Sequence, residues 1–177
     1  MKLVRATGFA LLLSTGFLTG CDNDGTGPSS DRFVGSWSAT SFSYTDASNP
    51  ALSLDIITHL GGTLAITVAQ DLSFTGTLNI PNVTPVALPI GGDISLNAAG
   101  DSVTVVWNAT TASYTTPDTE NCPGGRLLDD FTASFSFNET ETILTITETD
   151  ADFDFPDQID PRCAVPAVVV VRLQRTS

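Results

Sequence analysis

The chain has 177 residues, enough for one domain with a substantial core, and twenty Asp and Glu stand against seven Lys and Arg. A surface of that sign repels nucleic acid and anionic lipid headgroups, so neither is an expected partner through bulk charge. A cationic ligand or a divalent ion is favoured instead, although solubility alone accounts for the same balance.

The N-terminus carries Lys2 and Arg5, then a largely apolar run from Gly8 to Leu18, then Leu18-Thr19-Gly20-Cys21. A positive segment, an apolar segment too short to span a bilayer and a small residue before the cut describe an export signal. The last four residues resemble the lipobox of bacterial lipoproteins. That resemblance implies cleavage after residue 20, a lipidated (palmitate-bearing) Cys21 as the first mature residue, and anchoring to a membrane of the bacterial cell envelope. The mature part then keeps five arginines, no lysine and all twenty acids, a net charge of −15. Residues 21–31 comprise Cys21 and a polar Gly/Ser/Pro tether, and 32–177 form one domain, expected to be monomeric.

With Cys21 assigned to the anchor, Cys122 and Cys163 remain. An isolated pair in an exported protein reads as a disulfide, and no C-x-x-C or neighbouring histidine supports a metal or redox pair. Such a bond would stabilise the fold by about 4 kcal/mol in the chain-entropy picture.

From Phe33 onward apolar residues alternate with polar or small ones, the period of half-buried strands. Eight runs follow: approximately 33–44, 62–70, 72–80, 86–97, 102–110, 129–138, 142–149 and 167–175. Leu52, Ile56 and Leu60, spaced by four, predict a short helix between the first and second. Tight hairpins are expected at 70–71, 98–101 and 139–141. Longer links cover 45–61, 81–85, 112–128 and 150–166, so in a meander all of them gather at one end, with both cysteines among them.

The expected fold is all-β, an eight-stranded antiparallel up-and-down barrel whose closure removes exposed edges. An immunoglobulin-like sandwich is the competing fold, and it requires strands that cross between sheets. Gly35-Ser36-Trp37, opening the first strand, resembles the Gly-x-Trp of lipocalins and bacterial lipocalin-like domains. The resemblance implies that Trp37 closes the barrel floor against an arginine near the chain end. Arg175 shares one face of the last strand with Val169, Val171 and Leu173; Arg172 lies on the other face. The hairpin 138–141 reads Asn-Glu-Thr-Glu where lipocalins often carry Thr-Asp-Tyr, which marks the domain as divergent.

Catalytic material is sparse. His59 is the only histidine, Asp55 lies one helical turn away, and none of the hydrolase, zinc or phosphate-loop motifs occurs. The protein is therefore not expected to be an enzyme, and paired carboxylates are the only catalytic route the composition leaves. Asp150, Asp152, Asp154 and Asp157 crowd one link at spacings that suit calcium, against the plainer reading of a solvated acidic loop. No other cofactor is expected. Phe74, Trp107, Phe131, Phe135 and Phe137 fall on inward faces, where they either line a pocket or fill the barrel. The first alternative makes the protein a carrier of a small apolar or amphipathic molecule. The second makes it a structural or interaction lipoprotein presenting acidic loops.

Overall fold

Antiparallel pairing runs in chain order all the way round the molecule, and the last strand meets the first. The computed structural model describes residues 29–81, 84, 86–115, 126–153 and 163–176. Cys21, the expected signal segment and most of the expected tether lie outside the described residues, as do Cys122, Asp154 and Asp157.

The strands are β1 (Gly35–Asp46), β2 (Ser53–Asp55), β3 (Thr63–Val68), β4 (Ser73–Asn79), β5 (Leu88–Leu96), β6 (Ser102–Trp107), β7 (Phe131–Phe137), β8 (Ile143–Phe153) and β9 (Val165–Thr176). Their order is β2-β1-β3-β4-β5-β6-β7-β8-β9, with β9 paired back onto β1 from Ser36–Thr176 to Asp46–Ala167. Eight strands thus close an up-and-down barrel, the architecture that the lipocalin resemblance implies. Among the described residues no strand crosses between sheets, so the sandwich alternative is excluded.

Three hairpins gather at one end, each fastened by a side chain that takes over turn donors. Asp71 Oδ1 accepts from the Ser73 N–H at 3.0 Å, and Asn97 Oδ1 from Asp101 at 3.1 Å. Asn138 Oδ1 accepts from Thr142 and Ile143, both at 2.8 Å. These are the turn residues expected where a short polar side chain mimics a backbone acceptor.

The helix expected over Leu52–Leu60 does not form. Ser53–Asp55 instead pairs with β1 as β2, and a single turn follows. Asp55 explains the outcome: its Oδ1 accepts from the Ile57 and Thr58 N–H groups at 2.9 Å, and its Oδ2 accepts from Ser41 at 2.6 Å. The turn closes with His59 N–H on the Asp55 carbonyl and stops at Gly61, whose φ of +69° ends helices readily. Ile56 still reaches the core, so the apolar spacing is satisfied by one capped turn.

Bulges in β1, between Ala39 and Ser41, and in β8, between Glu148 and Ala151, reset the alternation partway up the wall. Trp37 therefore faces inward below the β1 bulge, and Phe42 and Asp46 are the buried residues above it.

The hairpin end is sealed. A 3-10 turn, Ser30–Arg32, leads into Phe33, which is 1 % exposed and packs edge-on against Phe135 and Phe137 at 4.9 and 5.2 Å. Trp37 Nε1–H donates to the Phe33 carbonyl at 2.7 Å. The Arg175 guanidinium lies 4.2 Å above the Trp37 ring, and its Nη1 and Nη2 donate to the Val34 and Arg32 carbonyls at 2.6 Å. Arg175 also donates through Nε to the Glu141 carbonyl at 3.3 Å, while Arg32 and Glu141 form an ion pair at 2.8 Å. Gly35 lets this happen: its φ is +127°, and a Cβ there would stand 2.7 Å from Arg175 Nη1.

Gly35→Ala should therefore cost about 2–4 kcal/mol of unfolding free energy in urea, from strained backbone and a displaced guanidinium. Arg175→Lys, which keeps the charge but loses the planar fork, should cost nearly as much as Arg175→Ala, and a Lys variant as stable as the parent would contradict the two-carbonyl clamp.

Acid should act on the β2 turn. Burial tends to raise the Asp55 pKa, but the hydrogen bonds from Ser41 and from the Thr58, Phe42 and Ile57 backbone outweigh it and hold the carboxyl below its ordinary value. The folded state then releases this proton more readily than the unfolded chain, so Asp55 contributes stability at neutral pH that is lost as pH falls through its lowered pKa. Asp55→Asn should lower stability modestly at neutral pH and flatten that acid limb in pH-dependent melts.

Candidate functional site

Between the floor and the end where the long links gather, the barrel holds a half-open cavity of about 340 Å³. Its body is apolar because inward positions on every barrel strand supply branched or aromatic side chains. Leu64 and Ile66 come from β3, Phe74 and Leu78 from β4, Ile90 and Ile94 from β5, Val105 and Trp107 from β6, and Phe131 from β7. Ile146 on β8 and Val169, Val171 and Leu173 on β9 complete the wall with Phe42 and Tyr44 of β1.

Three of the five aromatic residues expected to line a pocket do so: Phe74, Trp107 and Phe131. Phe135 and Phe137 do not. Both lie at the β7 end nearest the hairpins, where they pack around Phe33 and belong to the floor. Period two placed all five inside the barrel but carries no information about height along its axis.

Trp107 is the pivot of the upper wall. Its ring packs edge-on against Phe74 at 5.5 Å and tilted against Phe131 at 6.3 Å. Its Nε1–H donates to the Asp129 carbonyl and its backbone N–H to Asp130 Oδ1, both at 2.8 Å. These two bonds hold the segment before β7 against the barrel, so that Leu127 and Leu128 pack over the upper core. Tyr114 supports them from the other side: its carbonyl accepts from Leu127 at 2.9 Å and its hydroxyl donates to Pro89 at 2.7 Å.

Above this apolar body the lining changes sign. Asp129, Asp130, Glu148, Asp150 and Asp152 all contribute, and Arg126 is the only basic residue among the described lining. Arg126 is itself paired with Asp129 at 3.4 Å. Asp150 and Asp152 were expected in a loop; they lie instead on β8, which continues past its bulge to pair Asp152 with Pro166. Among the described residues no group of three or more His, Cys, Asp or Glu is arranged to hold a metal ion. The other two carboxylates of the calcium expectation, Asp154 and Asp157, fall outside the described residues.

Glu148 is the innermost of these acids in sequence register, two residues along β8 from Ile146 on the same face. It has no hydrogen-bond donor or cation among the described residues. Burial first, and then the charge of Asp150, push its pKa above the ordinary glutamate value. Beside it, Tyr44 stacks on Phe153 at 3.8 Å and on Phe42 at 5.3 Å. Burial, and then the charge of Glu148, hold the Tyr44 phenol well above its normal range, so it stays protonated and able to donate.

His59 stands away from this cavity on the exposed turn after β2, where its Nδ1 accepts the Asp55 backbone N–H at 3.3 Å. The Asp55 carboxylate is occupied by Ser41 and the turn backbone, so the two do not form an acid–base pair. Cys163 lies just before β9, at the end where the long links gather.

The readable signal for Glu148 was its place on the otherwise apolar face of Leu144 and Ile146. Phe42 and Tyr44 were hidden by the bulge, which reverses the alternation that Trp37 sets. No family model matches the chain, and no curated protein matches it.

A raised carboxyl pKa means that the folded barrel holds the Glu148 proton more tightly than the unfolded chain does. Its ionisation therefore subtracts stability as pH rises from the ordinary glutamate range through the raised value. Glu148→Gln should raise the melting temperature at neutral pH by a few degrees and remove that component from melts taken across the acid range. An unchanged or lowered midpoint at neutral pH would contradict the assignment.

Proposed function

We propose that the protein is a lipid-anchored, lipocalin-like binding module of the bacterial cell envelope. It holds a small apolar or amphipathic molecule within its barrel and performs no chemistry on it. The single observation that carries this reading is the half-open cavity of about 340 Å³ with its apolar body, within the size range of small-molecule sites. A barrel built only for stability or for contacts through its loops would fill that space with side chains.

The anchor rests on the lipobox-like Leu18-Thr19-Gly20-Cys21. The first described residues pack on the floor, so a tether ending at residue 31 enters at the hairpin end. The acidic rim then faces away from the anchored lipid, toward the aqueous space where a ligand arrives. A Cys122–Cys163 disulfide would tie together two of the long links beside that rim.

Binding is tested with the neutral fluorophore N-phenyl-1-naphthylamine, whose emission rises in apolar surroundings. The purified protein should give a saturable increase. Ile146→Trp and Val171→Phe, each filling the lumen, should weaken binding at least ten-fold, equivalent to about 1.4 kcal/mol. No saturable signal, or equal binding by both filled variants, would refute the cavity as the binding site.

For the anchor, Cys21→Ser should abolish palmitate labelling and release the protein from the membrane fraction. For the disulfide, non-reducing peptide mapping should recover Cys122 and Cys163 in one linked species.

A further inference from the structure

The cavity is chemically polarised along the barrel axis, and the polarity specifies more than an apolar guest. Its deep end offers only hydrocarbon and aromatic surface, from Phe74, Ile94, Val105 and Leu173. Its rim offers Glu148, Asp150, Asp129 and Asp130, with one arginine that is already paired. Glu148 has no counter-ion among the described residues, and the aromatic rings of Trp107 and Phe131 line the same cavity. A carboxylate beside aromatic rings is the environment that attracts an ammonium group, by charge and by the ring quadrupole together. A fatty acid or other anionic amphiphile would place its head among like charges, and a neutral guest would leave Glu148 uncompensated.

Resting on the binding reading above, we infer that the ligand is a cationic amphiphile, a hydrocarbon or aromatic body carrying an amine or quaternary ammonium head. The body occupies the Phe74–Val105 end of the lumen, and the head sits at Glu148 and Asp150. The half-buried state of Glu148 fits this assignment, since the charge of an arriving cation would offset the burial and the Asp150 repulsion that now favour its protonated form.

Three probes that share one alkyl chain test the head group: octyltrimethylammonium, octanol and octanoate, each titrated calorimetrically into the purified protein below its micellar concentration. Octyltrimethylammonium should bind at least about ten-fold more tightly than octanol, and octanoate more weakly than either. Glu148→Gln combined with Asp150→Asn should bring the ammonium probe to the level of octanol, a far larger loss of affinity than octanol itself shows. Far-ultraviolet circular dichroism of that variant verifies the fold. If octanol binds as tightly as the ammonium probe, the head-group inference falls and the cavity reading stands. If none of the three binds, both fall. If the double variant retains the ammonium preference, the assignment to Glu148 and Asp150 is wrong.

Discussion

Pairing of β9 with β1 is the constraint from which the rest follows. It turns a meander into a closed wall, gives both terminal strands a partner and obliges every inward side chain to share one lumen. Closure also brings Arg175 beside the segment that precedes β1, although Arg175 and Val34 are 141 positions apart in the chain. Without that ladder the floor has no arginine, and without the floor the lumen is a tube rather than a pocket.

The two ends of the barrel solve opposite problems. At the floor the cations of Arg32 and Arg175 are consumed internally by carbonyls, aromatic faces and the Glu141 carboxylate. The tight hairpins there leave little backbone unsatisfied. At the rim, carboxylates outnumber cations among the described residues and several remain exposed to solvent. The domain is thus an axial arrangement of neutralised positive charge below, hydrocarbon in the middle and uncompensated negative charge above.

Much of this was legible in the chain. Strand number, the gathering of short and long links at opposite ends, and the meeting of Gly35, Trp37 and Arg175 followed from alternation, turn chemistry and one family motif. What escaped depends on three-dimensional detail that period two does not encode. Alternation put Phe135 and Phe137 on the same face as Phe131, but only the tilt and height of β7 decide that the first two serve the floor. The β1 bulge moved Phe42 and Tyr44 into the lumen by shifting the phase once, and nothing in Thr40 or Ser41 announces it. The spacing of Leu52, Ile56 and Leu60 was a true apolar signal assigned to the wrong element, because the Asp55 carboxylate captures the donors that a helix would have used.

The Arg175 clamp has a mechanical meaning as well. A pull applied through the N-terminal segment would load β1 at Gly35, the point where it could be peeled from β3 and β9 one hydrogen bond at a time. Peeling is the weak direction of a strand ladder, because bonds break in sequence rather than together. Arg175 grips the carbonyls of residues 32 and 34, just ahead of that point, and Trp37 locks onto Phe33 immediately below it. Force arriving along the N-terminal segment therefore meets several bonds in parallel before it can reach the first rung of the wall.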